Sequence, residues 1–144
     1  IVISNAVLEH VMDLNSFFSE AFRVTKKGGI SYHLYHNYYS FSGGHMAELD
    51  CLKNPWGHLT GIYQTSDNHL NKAKIDDILQ TFELNFQDCK VFPTDKNHNK
   101  KGVDSNFLNE REDLLSDELL KSLRIYPRDL LLSRGYLLYG FRSR

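Results

Sequence analysis

Seven histidines occur in the 144 residues, and five of them bear on the chemistry open to the chain. His10 directly follows Glu9 after an apolar run. An imidazole titrates near neutrality and can take a proton from a hydroxyl, so His10 is a candidate general base or acceptor-holding group. The alternative is a histidine that hydrogen-bonds locally to fix a turn. Glu9 reads more readily as a cap on nearby backbone amides than as a chemical group. His33, His36, His45 and His58 are of a type that ligates metals. His33 and His36, however, stand three apart in a segment that reads as a strand, which points them to opposite faces. They cannot chelate one ion unless the strand bends, and no metal site is expected. Ser42-Gly43-Gly44-His45 and Pro55-Trp56-Gly57-His58-Leu59 are tight glycine turns that set His45, Trp56 and His58 in one loop. A pocket lined by those three is one reading, and a Trp56 that staples the loop to the core is the other. Cys51 and Cys89 are too few for a disulfide framework and lack CxxC spacing, which fits a reducing, cytoplasmic setting.

These residues need elements to position them. Ile1 to Ser4 is a short β-branched run of the kind found in parallel strands buried on both faces. Asp13 is a helix N-cap, and Leu14, Phe17, Phe18, Ala21, Phe22 and Val24 recur at helical spacing. Lys26 and Lys27 place cations at the helix C-terminus, and Gly28-Gly29 stops it. Ile30 to Tyr35 alternates and is rich in β-formers, so residues 1–36 predict a βαβ unit with a right-handed crossover. From Asn37 to Asn68, glycines and aromatics predict a long excursion with only short elements. Ile75, Ile78, Leu79 and Phe82 then predict a helix over 71–82, followed by a strand through Phe86, Cys89, Val91 and Phe92. Asp95 to Asn106 is polar and reads as a solvated or mobile loop. Leu114, Leu115, Leu119, Leu120 and Leu123 predict a further helix, and Tyr136 to Phe141 a last strand.

Length and composition bound the rest. The chain is 41% hydrophobic, enough for one domain with a real core. Its 17 basic and 18 acidic side chains leave a net charge of -1, which gives no field to draw it to nucleic acid or anionic lipid. It contains no apolar run long enough to span a membrane. Starting at Ile1, inside a strand and without methionine, the chain reads as truncated.

Ile1 to Ile30 closely resembles the segment of class I S-adenosylmethionine-dependent methyltransferases of the type 11 domain family that runs from the fourth strand to the fifth. The resemblance rests on Val2 and Ile3 with Ser4 and Asn5, then Val7, Leu8, Glu9 and His10, then Asp13, Arg23 and Val24, and finally Lys27, Gly28 and Gly29. Lys27 stands where the family commonly has proline. The specific match spans about a fifth of the chain. It implies an α/β fold, a truncated Rossmann-like sheet whose strands resemble the order 4-5-7-6, with the last strand antiparallel and helices on its faces. Residues 1–36 would be the βαβ unit, 37–70 an acceptor-side loop insertion and 71–144 the C-terminal helices and strands of one partial domain.

Ligands of open α/β sheets bind at the carboxyl ends of parallel strands, so Ser4 to His10 would form the active-site rim. The resemblance implies that Ser4, Asn5 and Ala6 lie near the methionyl end of the S-adenosylmethionine cofactor, with His10, His45 and His58 as candidate catalytic residues. His45, Trp56 and His58 would meet a small-molecule or glycan acceptor at an oxygen or nitrogen. The glycine-rich loop and the acidic residue that such enzymes use for the cofactor are absent from the 144 residues, so the chain alone is expected to be inactive. The first strand would leave an open apolar edge and favour self-association through Ile1 to Asn5. A non-catalytic interaction module derived from this fold, and a histidine-rich metal-binding protein on a βαβ scaffold, are the alternatives.

Overall fold

The computed structural model describes residues 1–63, 69–94 and 111–143. In order, these form β1 (Val2–Asn5), a short 3-10 turn (Leu8–His10), α1 (Leu14–Val24), β2 (Ile30–His36), α2 (Glu48–Lys53), α3 (Gly57–Thr60), α4 (Ile75–Glu83) and β3 (Gln87–Pro93). A second 3-10 turn (Glu112–Leu114), α5 (Asp117–Ser122), α6 (Arg128–Leu132) and β4 (Gly135–Phe141) follow. They divide into two compact units. Unit 1 comprises Ile1–His36, His69–Pro93 and Gly135–Arg144, and unit 2 comprises Asn37–Asn68 and Thr94–Arg134. No helix among the described residues is long and apolar enough to cross a membrane.

Unit 1 is built on a four-stranded sheet of order β1-β2-β4-β3. β1 and β2 are parallel, with Ser4 opposite His33 and Asn5 opposite Leu34. β4 runs antiparallel to both its neighbours. This is a mixed α/β sheet in the order expected of strands resembling 4-5-7-6, with the last strand antiparallel. The crossover between the parallel strands is α1, which starts where Asp13 accepts hydrogen bonds from the Ser16 N–H (3.0 Å) and hydroxyl (2.6 Å). Those bonds hold the Asp13 carboxyl below its ordinary range. The apolar stripe of α1 packs with α4 onto one face of the sheet, in a core of Leu8, Phe18, Ala21, Tyr35, Ile78, Phe82, Phe86, Tyr136 and Leu138. Gly140 allows that packing to close: a Cβ there would lie 2.8 Å from Cys89 Sγ and 2.9 Å from Phe82.

Three details of unit 1 differ from expectation. Ile1 and Ile3 are 82% and 67% exposed, rather than buried on both faces. β1 is the outermost strand of the sheet, and both helices of this unit cover the other face, so alternate side chains of β1 stay open. The cation at the C-terminus of α1 is not Lys26 or Lys27 but Arg142, whose Nη1 donates to the carbonyls of Phe22 (2.9 Å), Arg23 (2.9 Å) and Thr25 (2.7 Å). Its guanidinium also lies over the Phe22 ring. Finally, α4 begins at Ile75 rather than 71, because the residues before it are held in other hydrogen bonds.

Unit 2 carries its own core of Phe41, Cys51, Trp56, Leu115, Leu123, Leu131 and Leu132, joined by short elements. The helix expected across Leu114 to Leu123 is split. Its leucines divide between the 3-10 turn and α5, which starts where Ser116 accepts from the Leu119 N–H. α6 has only five residues and follows Pro127, too short for its periodicity to be read. Asn37 ties the unit together: Nδ2 donates to the carbonyls of Leu130 and Ser133, both at 2.7 Å, while Oδ1 accepts from the Tyr39 N–H. The polar stretch from Asp95 to Asn106 lies outside the described residues.

Candidate active site at the carboxyl end of β1

The parallel pairing of β1 and β2 brings their carboxyl ends to the same end of the sheet. Beyond Asn5 the chain turns sharply at Ala6, whose φ of 52° is left-handed for a residue with a Cβ. The Ala6 N–H still donates to the Leu34 carbonyl at 3.1 Å, so the turn stays attached to β2. The 3-10 turn that follows sinks the Leu8 side chain into the core and leaves His10 exposed. Glu9 is 2% exposed, and its carboxylate accepts a long bond of 3.5 Å from the His36 N–H at the end of β2. Capping of a main-chain amide, the reading favoured from sequence, is the contact observed. Asn5, Ala6 and His10 together present a polar amide, a small side chain and an imidazole to solvent at one strand tip.

Ser4 points the other way. Its hydroxyl lies 2.7 Å from Nδ1 of His33, and the Ser31 hydroxyl lies 2.8 Å from Nε2 of the same ring. The rings of Phe17, Phe18 and Phe82 meet His33 edge-on, with centroids 5.5, 5.5 and 5.6 Å away. Burial in this apolar box pushes the His33 pKa down to about 4. The ring is therefore neutral at physiological pH, one nitrogen donating and the other accepting. His33 and His36 stand three apart in β2, on opposite faces, His33 fully buried and His36 half-buried. The Ser4–His33–Ser31 relay across two adjacent strands was not anticipated, since a buried histidine in a strand leaves no pattern beyond a polar residue on the apolar face.

The remaining candidates belong to unit 2. The indole of Trp56 is fully buried, its Nε1 donating to the Leu131 carbonyl at 3.3 Å and its ring edge-on to Phe41. His58 is 9% exposed, and its Nε2 donates to the Tyr38 carbonyl at 2.8 Å. That bond fixes the tautomer, because a carbonyl only accepts. Gly44 lies flat against this ring: a Cβ there would be 2.6 Å from Cγ of His58. A Cβ at Gly43 would meet the Tyr38 carbonyl oxygen at 2.1 Å. The glycine pair is thus needed for close approach of the loop to its own backbone and to His58. His45 is half-buried at a turn with φ of 53°, its N–H donating to the Ser42 carbonyl at 3.1 Å. Asn5 and Ala6 thus lie exposed at the tip of β1, His10 lies exposed at the end of the 3-10 turn beyond it, and Trp56 and His58 lie in the interior of unit 2.

Comparison with known proteins adds a similarity over the segment that forms this tip. Residues 1–33 match the family model of a methyltransferase domain. No curated protein matches the chain. The matched residues are β1, the rim turn, α1 and the first half of β2. Over these residues the chain is similar to a methyltransferase domain, and its parallel pair and sheet order fit a truncated Rossmann-like methyltransferase fold.

Proposed function

We propose that the chain serves methyl transfer from S-adenosylmethionine to an oxygen or nitrogen of a small molecule or glycan. The observation that carries the reading is the exposed trio Asn5, Ala6 and His10 at the carboxyl end of a parallel strand, inside the matched segment. The residues fit the methionyl end of the cofactor: Ala6 leaves room, the Asn5 amide offers donors and an acceptor, and Ser4 contributes through its main chain, its hydroxyl being engaged with His33. When bound, the cofactor supplies an electrophilic sulfonium methyl open to in-line displacement. The protein supplies proximity and orientation, and His10 accepts the proton that the acceptor atom loses. In unit 2, we assign acceptor contact to His45, with Trp56 and His58 shaping the loop from within and His58 as a further candidate for proton transfer.

The glycine-rich loop such a cofactor needs is not in the sequence, so the 144-residue chain is proposed to be inactive alone. The free thiols Cys51 and Cys89 suit a cytoplasmic setting. The outer edge of β1, apolar and uncharged, is proposed to pair with a second copy, and light scattering should then give a mass that rises with concentration. Neither nucleic acid nor membrane is proposed as a partner.

Calorimetry with S-adenosylhomocysteine on the full-length protein tests the main reading. One site per chain is expected, and His10→Ala should retain it while lowering kcat by about 10²- to 10⁴-fold. Absence of binding would favour a non-catalytic interaction module.

A further inference from the structure

The rim turn is held by a residue that lies outside it in sequence. Asn71 donates its main-chain N–H to the Glu9 carbonyl at 2.8 Å. Its side-chain Nδ2 donates to the carbonyls of Leu8 and Val11, the latter at 2.8 Å, and its Oδ1 accepts from the Ala73 N–H at 2.9 Å. Three of these four bonds end on the turn that carries Glu9 and His10. Both Nδ2 hydrogens are in use, which only a primary amide at this reach can provide. Aspartate has no donor, serine has one, and alanine has none.

The clamp is itself braced. The fully buried Tyr35 on β2 donates its hydroxyl to the Ala73 carbonyl at 2.7 Å, tying the segment 71–73 to the strand beside β1. Leu8, the first residue of the turn, is 0% exposed in the same core. The turn is therefore fixed from below by packing and from the side by Asn71, while His10 remains exposed at its end. A proton acceptor must be held within a fraction of an ångström of its working position, and exposed turns do not hold that position unaided.

We propose that Asn71 is a positioning residue for the rim, setting the Leu8–Val11 turn so that His10 addresses the acceptor. This deepens, and for its catalytic consequence rests on, the methyltransferase reading above. The clamp itself can be read without activity, by amide hydrogen exchange on the 144-residue chain. In the unsubstituted protein, both Nδ2 hydrogens of Asn71 should be protected. In Asn71→Asp and Asn71→Ser, the amides of His10 and Val11 should exchange about tenfold faster or more, while the β2–β4 amides stay within about twofold. Unprotected Nδ2 hydrogens, an unchanged rim, or equal acceleration across rim and sheet would each overturn the proposal, the last by reducing Asn71 to a general stabiliser. In the full-length protein, Asn71→Asp should lower kcat about 10- to 100-fold with the KM for S-adenosylmethionine within about threefold. If that protein transfers no methyl group at all, the functional reading fails, and the exchange data still decide the clamp.

Discussion

Unit 1 and unit 2 each bury a histidine, and they hold it by different means. In unit 1, His33 projects from a strand into an apolar box and is met on both nitrogens by serine hydroxyls from two adjacent parallel strands. In unit 2, His58 sits on a four-residue helix and donates to a main-chain carbonyl twenty positions away. Regular elements satisfy a polar side chain with neighbours in register, whereas irregular ones satisfy it with backbone left unpaired by the absence of a sheet or long helix. Asn37 and Trp56 follow the second pattern, each spending a side-chain donor on carbonyls from the α6 region.

That contrast can be broken most sharply at fully buried rings. Phe82→Ala in unit 1 and Trp56→Ala in unit 2 should each cost about 3–5 kcal/mol, read by denaturant unfolding, since each side chain is fully buried. A loss below about 1 kcal/mol at Trp56 would mean that unit 2 has no core comparable to that of unit 1.

The next effect concerns His33 and its response to pH. Its folded-state pKa, depressed to about 4 from an ordinary 6.5, means that the unfolded chain binds the proton more readily. Its contribution to stability is therefore fully present above pH about 6.5 and is lost as pH falls toward about 4, amounting to roughly 3 kcal/mol. His33→Gln, which keeps hydrogen-bonding capacity without a titrating ring, should flatten this part of the stability–pH curve. An unaltered curve would show that the acid response comes from elsewhere. The smallest effect is at the α5 cap: Ser116→Ala should cost about 1 kcal/mol, because the hydroxyl that accepts from the Leu119 N–H is lost.

The same contrast explains what could be read from sequence. The Asp13 cap, the 3.6-residue stripe of α1 and the alternation of β2 are local signals, and each has its counterpart in the fold. The sheet order followed from resemblance, and the pairing of β4 between β2 and β3 agrees with it. Arg142 was missed as the partner of the α1 carbonyls because it lies well over a hundred residues downstream of them, where no local rule reaches. The openness of Ile1 and Ile3 was missed for the same kind of reason, since β-branched composition reports a strand but not how many of its faces are covered. In unit 2, leucine spacing predicted one helix where Ser116 interrupts it, and α6 was too short to register. Near the candidate site, the end of β1 was legible in Ser4 and Asn5. The clamp on the turn beyond it was not, because an asparagine ahead of a helix carries no mark of which carbonyls it will meet.

The proposed function requires the tip of β1 to face the cofactor. Chemical-shift mapping with S-adenosylhomocysteine on the full-length protein tests it most directly. The largest shifts are expected at Asn5, Ala6 and His10, with Gly28, Gly29 and Phe141 at the far end of the sheet unmoved. Saturable binding whose shifts gather at that far end, or none at the tip, would contradict it.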